Sequence, residues 1–189
     1  GGGRGIEGRL DTALASAGIK AQAPKELTMG YARLSGGRTT MIIDAAPPPS
    51  GHASFIAHAS TLAFELTSGR RPLIVNCGSG STFGEDWRRA GRATPSHSTL
   101  CLDGFSSARL GPTLRMGPIE RERLDDVPQS VPIELSRASD GFRFEGGHDG
   151  YKSTHGLTHA RILELTYDGR GIVGEDLLVA LGDADKARF

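Results

Sequence analysis

Two histidines, His58 and His97, each head an apolar run (HASTLAFEL and HSTLCL), and Asn76-Cys77-Gly78 lies between them. Imidazole ligates zinc well and carries protons near neutral pH. Two rings do not complete a zinc site, so a third donor would have to come from elsewhere. A histidine at the head of a strand also hydrogen-bonds backbone, and both uses stay open here. A second island, HDGYKSTHGLTHAR, spans residues 148–161. Its titratable candidates are Tyr151 and His159. His159 and Arg161 are two residues apart and share one face of a strand. The Arg161 guanidinium suits bidentate binding of a carboxylate. Alternatively His148 and Tyr151 pack a turn, and Arg161 pairs with Glu164 or Glu175. Between the islands stand Trp87-Arg88-Arg89 and Arg92. Taken by themselves, they read as a loop packed on the sandwich edge. Cys77 and Cys101 sit in apolar stretches and read as buried thiols, with a disulfide or a metal ligand as alternatives.

The elements that must position these groups are mostly strands. Tyr31–Leu34 and Thr39–Asp44 flank Gly36-Gly37, a hairpin signal. Leu62–Thr67 places Leu62, Phe64 and Leu66 on one face, then turns at Ser68-Gly69 into Pro72–Cys77. His97–Leu102 reads as a further strand. Arg115–Asp126 is charged and reads as solvated. Val131–Ser136 and Gly141–Glu145 pair across Ser139-Asp140, and Ala160–Tyr167 pairs with Gly171–Val179 across Asp168-Gly169. Turn signals recur about every 8–12 residues, as in a sandwich or barrel. The expectation is an all-β fold, an antiparallel β-sandwich with at most one short N-terminal helix, Arg9–Ala17. Residues 1–26 read as a lead-in and 27–189 as the sandwich domain.

Glycine supplies 27 of 189 residues, against a usual share of roughly 7%, which fits turn-rich β architecture. Lys+Arg and Asp+Glu balance at 22 each, so a broad nucleic-acid footprint is not expected. No apolar run approaches the roughly 20 residues of a membrane span. The start GGGRGIEGRL lacks the apolar core of a signal peptide. Both ends read as cut from a longer protein.

The order and spacing of these pieces resemble the C-terminal β-sandwich of the heparinase II/III family of polysaccharide lyases, over roughly residues 27–180. That family places an H-x-H-x-D pattern before a strand, a D-x-G after the next strand, and an H-N or H-S pair further on. The resemblance sets these onto Ile56–Ser60, Asn76-Cys77-Gly78 and His97-Ser98. It implies zinc ligands at His58, Asn76 and His97, and a catalytic histidine at the position of Ile56. The family's aspartate falls on Ser60. The family's W-R and R-A/S-T pieces match Trp87-Arg88 and Arg92-Ala93-Thr94. Its H-D-G-Y and H-x-R match His148–Tyr151 and His159–Arg161.

The departures have chemical consequences. Asparagine is a neutral, weak zinc ligand where carboxylate supplies charge. Cys77 is a better donor, but neighbours on a strand face opposite ways. Isoleucine exchanges no proton. β-Elimination needs a neutralised uronate, a base for the C5 proton and an acid for the leaving O4. The resemblance implies Tyr151 and His159 for acid and base, Trp87, Arg89, Arg92 and Arg161 against substrate, and zinc as the cofactor. It further implies an acidic polysaccharide as partner, an N-terminal helical toroid in the same protein, and a periplasmic address. The expected function is the sandwich half of such a lyase, inactive alone. A non-catalytic carbohydrate-binding or structural module is the alternative.

Overall fold

The computed structural model describes residues 27–180 and Gly182; the helix expected at Arg9–Ala17 lies outside them. Among the described residues, two four-stranded antiparallel sheets and one separate hairpin form. The first sheet runs β1 (Tyr31–Gly36), β2 (Thr39–Asp44), β3 (Phe64–Ser68), β4 (Arg71–Ile74) in order. The second has the order β10 (Ile172–Ala180), β9 (Leu157–Thr166), β8 (Gly141–Tyr151), β7 (Ile133–Arg137). The hairpin is β5 (Arg109–Met116) with β6 (Ile119–Asp125).

Strand alternation builds the sandwich. In β9 every second residue from Leu157 is buried, which turns Leu163 and Leu165 inward with His159 and Arg161. The β1–β2 register sets Ala32 opposite Ile43 and Leu34 opposite Met41. These four, with Leu62 and Leu66, share one core with Phe144, Leu163 and Leu165 of the other sheet. Each large apolar side chain so buried contributes about 1.5–3 kcal/mol. The sheets approach closely at Gly36, where a Cβ would stand 2.1 Å from the Thr166 carbonyl oxygen.

Three segments differ from the sequence reading. His97–Leu102 forms no strand. Its hydroxyls replace the ladder: Ser98 Oγ accepts the Phe64 N–H at 2.8 Å and donates to the Phe64 carbonyl, and Thr99 Oγ1 donates to the Thr61 carbonyl at 3.1 Å. Side chains that bond neighbouring backbone in this way displace regular pairing. Second, the charged stretch 115–126 is not simply solvated. It ends as β6, whose Glu122 and Leu124 are buried; Leu124 joins Ala57, Ala59 and Ala108 in a smaller core. Third, the segment around Trp87 is helix α1 (Glu85–Arg92). It lacks an apolar stripe, so periodicity did not announce it. Its charges suit the helix dipole instead, with Glu85 and Asp86 in the first turn and Arg89 and Arg92 in the last.

Candidate functional site

The two expected imidazoles come together. His58 Nδ1 lies 3.3 Å from His97 Nε2, with ring centroids 5.2 Å apart. His58 is carried on the irregular approach to β3, and His97 on the segment after α1. Burial lowers both ring pKa values, that of His97 to about 4, where the nearby His58 adds to the effect. Asn76 stands beside this pair, but its Oδ1 accepts the Ser98 N–H at 2.8 Å. Cys77 is exposed rather than buried.

The second island folds into a continuous chain of hydrogen bonds. The Gly150 N–H donates to His148 Nδ1 at 3.1 Å, so that nitrogen carries no proton. The proton on His148 Nε2 then faces His159 Nδ1 at 3.1 Å, and His159 Nε2–H donates to Asp176 Oδ1 at 2.7 Å. One backbone amide thus sets the tautomer of both rings. Arg161 closes the chain on Asp176 with Nε at 2.7 Å and Nη2 at 2.8 Å. Its Nη1 reaches across to the carbonyls of Leu62 and Ser98, both at 2.7 Å. Burial drives the His148 pKa down to about 3, with His159 adding to it. Burial works against the Asp176 charge, but the bonds from His159 and Arg161 prevail and hold its carboxyl well below the usual range.

The remaining predicted residues scatter. Tyr151 is 0% exposed and donates its hydroxyl to the Leu100 carbonyl at 2.6 Å; burial pushes its pKa far up. Arg92 is buried and donates to the carbonyls of Ala57, Glu122 and Ser54, each at 2.8 Å. Arg89 is half exposed and pairs with Glu122. Trp87 is 64% exposed and stands edge-on to Phe83 at 6.4 Å. Ile56 is 79% exposed. Arg161 pairs with neither Glu164, which binds Arg143, nor Glu175, but with Asp176. Its place two positions from Leu178 and opposite Arg161 in the β9–β10 register was the available signal. Ser98 and Glu122 carried none, because both act through partners distant in the chain.

The C-terminal model of heparinase II/III-like proteins matches residues 20–189 of this chain. The chain belongs to the heparinase II/III-like C-terminal family. A relative is FtsZ-localized protein C of Caulobacter vibrioides (strain NA1000 / CB15N), 34% identical over 167 residues. The match covers 84% of this chain but 27% of that protein, so the chain spans about a quarter of its relative's length. No solved structure matches. The all-β sandwich and the family kinship read from the sequence both hold. Membership as a C-terminal domain implies an N-terminal partner domain, and no described helix is long and apolar enough to cross a membrane.

The donors near His58 and His97 do not fit the zinc expected from the family. No group of three His, Cys, Asp or Glu side chains gathers among the described residues. The position that should bring a carboxylate holds Asn76, whose oxygen is bonded to backbone. A tetrahedral zinc site takes charged or imidazole donors on at least three corners.

Proposed function

We propose that this domain is the recognition and structural half of a heparinase II/III-like protein and performs no β-elimination itself. The observation that carries this reading is Tyr151. An acid for the leaving O4 must meet substrate, yet this hydroxyl is buried and donates its proton to Leu100. His159 is equally buried, with one ring nitrogen on His148 and the other on Asp176. Arg161 and Arg92 hold backbone carbonyls together and have few N–H groups left for a sugar carboxylate. The His58–His97 pair is neutral at physiological pH and, in this reading, works as a hydrogen-bonded clasp without zinc.

What stays available for recognition is Trp87. Its exposed ring adjoins a cavity of about 370 Å³ lined also by Phe83, Ala90 and Ser96. Aromatic faces of this kind stack on the apolar faces of sugars. Family kinship makes an acidic polysaccharide the ligand to try first. The name of FtsZ-localized protein C places that relative with FtsZ; we extend this to the parent of the present chain as its place of work, ahead of the periplasm.

The test uses the full-length parent protein and the domain side by side on polygalacturonate and alginate. The expected result is no rise in unsaturated-uronate absorbance from the domain, parent turnover that Tyr151→Phe leaves unchanged, and binding by the domain in affinity electrophoresis that Trp87→Ala weakens at least fivefold. Turnover by the domain, or loss of turnover by the parent on Tyr151→Phe at unchanged stability, would overturn the reading.

A further inference from the structure

A groove of about 630 Å³ runs between α1 and the β5–β6 hairpin, and no histidine lines it. Four arginines line it, Arg88, Arg89, Arg115 and Arg121, together with Glu85, Glu120 and Glu122. The formal charges nearly cancel, but the hydrogen bonds do not. Glu122 is buried and gives one oxygen to Arg88 and the other to Arg89. Glu85 gives one oxygen to Arg88 and the other to Arg121. Each of these four oxygens accepts from a guanidinium, while the third carboxylate, Glu120, has no side-chain partner among the described residues. A guanidinium carries more N–H groups than these bonds use, and Arg89 has no other protein acceptor among the described residues. Four guanidiniums against three carboxylates leave the groove with more N–H donors than carboxylate acceptors. Arg92, buried just behind, registers the same surplus: burial and then the neighbouring Arg88, Arg89 and Arg121 bring its pKa down to about 10.

Oxyanions answer such a surface, since guanidinium N–H groups bind carboxylates in pairs. The uncharged part of the lining selects among them. It consists of Ile119, Pro118 and Thr113, with no aromatic ring to stack on a sugar. Ile119 is partly exposed and asks for an apolar side chain beside the acid. Trp87 projects from α1 into the other cavity.

We propose that the groove between α1 and the β5–β6 hairpin binds an acidic, partly apolar peptide segment of a partner protein, with Arg89 and Arg121 taking its carboxylates and Ile119 its apolar side chain. Such a segment would attach the sandwich to a partner without involving the histidine clusters. This goes beyond the non-catalytic reading and does not depend on it.

The experiment measures anisotropy of a fluorescein-labelled peptide of alternating glutamate and leucine, titrated with the domain at low and at physiological salt. Saturable binding is expected, weakened by salt and at least tenfold by the double variant Arg89→Ala/Arg121→Ala. The control Arg70→Ala/Arg71→Ala, on the far hairpin between β3 and β4, should bind unchanged. Thermal unfolding accompanies each variant; should the double variant not fold, Arg121→Ala and Arg115→Ala are read singly, each expected to weaken binding about threefold. Absence of saturable binding, equal loss in the control, or indifference to the groove variants would overturn the proposal. So would polygalacturonate displacing the peptide and binding more tightly through the same arginines. That last result would make the groove a sugar site and leave the reading of Tyr151 untouched, and lyase turnover by the domain would sink that reading without touching the groove.

Discussion

Arg161 Nη1 donates to the Ser98 carbonyl at 2.7 Å, and through that bond two clusters distant in the chain become one structure. Ser98 follows His97 and donates its amide N–H to Asn76 Oδ1. Arg161 holds Asp176, which holds His159 and, beyond it, His148. The histidine pair beside the first sheet and the histidine chain on the inner strands β8 and β9 of the second are joined at Ser98.

Removing Arg161 should therefore cost more than a surface ion pair. Arg161→Ala leaves the carbonyls of Leu62 and Ser98 without their donor and strips Asp176 of two bonds. The carboxylate is partly exposed, which softens the loss. The expected destabilisation is about 2–4 kcal/mol, read as a lower urea midpoint at unchanged slope. A loss below about 1 kcal/mol would mean that the link carries little.

Stability should fall on mild acidification. The His97 and His148 pKa values are depressed in the fold to about 4 and about 3 from 6.5. The unfolded chain then binds the extra protons, so their stabilisation is complete above pH 6.5 and is lost as pH falls toward 3–4. Asp44 has the opposite sign: burial raises its pKa from 3.8 to about 6, so its contribution is present at low pH and is lost as pH rises through 6. His97 and His148 against one carboxyl leave a net slope on the order of 1 kcal/mol per pH unit between pH 4 and 6, and His58, lowered by burial, acts in the same direction. Asp44→Asn should steepen it. A flat profile from pH 4.5 to 7 in urea unfolding would contradict this account.

Restoring the family's carboxylate should restore metal affinity. We expect the native chain to hold substoichiometric zinc after dialysis, and Asn76→Asp to gain at least tenfold in affinity, because a charged oxygen joins two imidazoles already 3.3 Å apart. Elemental analysis and competition with a zinc-responsive dye would measure both. Tight zinc binding by the native chain would contradict the clasp reading of His58 and His97.

Arg92→Lys should be nearly as damaging as Arg92→Ala. The side chain bonds three carbonyls along three directions of one planar group, and an ammonium cannot reproduce that fork. The expected loss is about 2–4 kcal/mol for either variant, measured by thermal or urea unfolding. A mild effect of the lysine variant would show that charge alone suffices.

The sequence by itself determined the sandwich and the family. Alternating apolar residues such as Leu62, Phe64 and Leu66, and glycine turns at Gly36-Gly37 and Asp168-Gly169, are local rules, because the strand period and the turn conformations act on neighbouring residues. The family resemblance, carried position by position onto His58, Asn76 and His97, was enough to expect the two rings together. Other features depended on tertiary structure. The helix at Glu85–Arg92 is held by ion pairs to Glu122 on a later hairpin, which no window of sequence contains. Ser98 stands in for a strand by bonding Phe64 through its side chain. Tyr151 and His159 kept residue types that fit acid–base chemistry; their burial, and the carbonyl and carboxylate that take their protons, were set by long-range packing. Chemistry depends on where a proton can go, and that is fixed only when distant segments close around it.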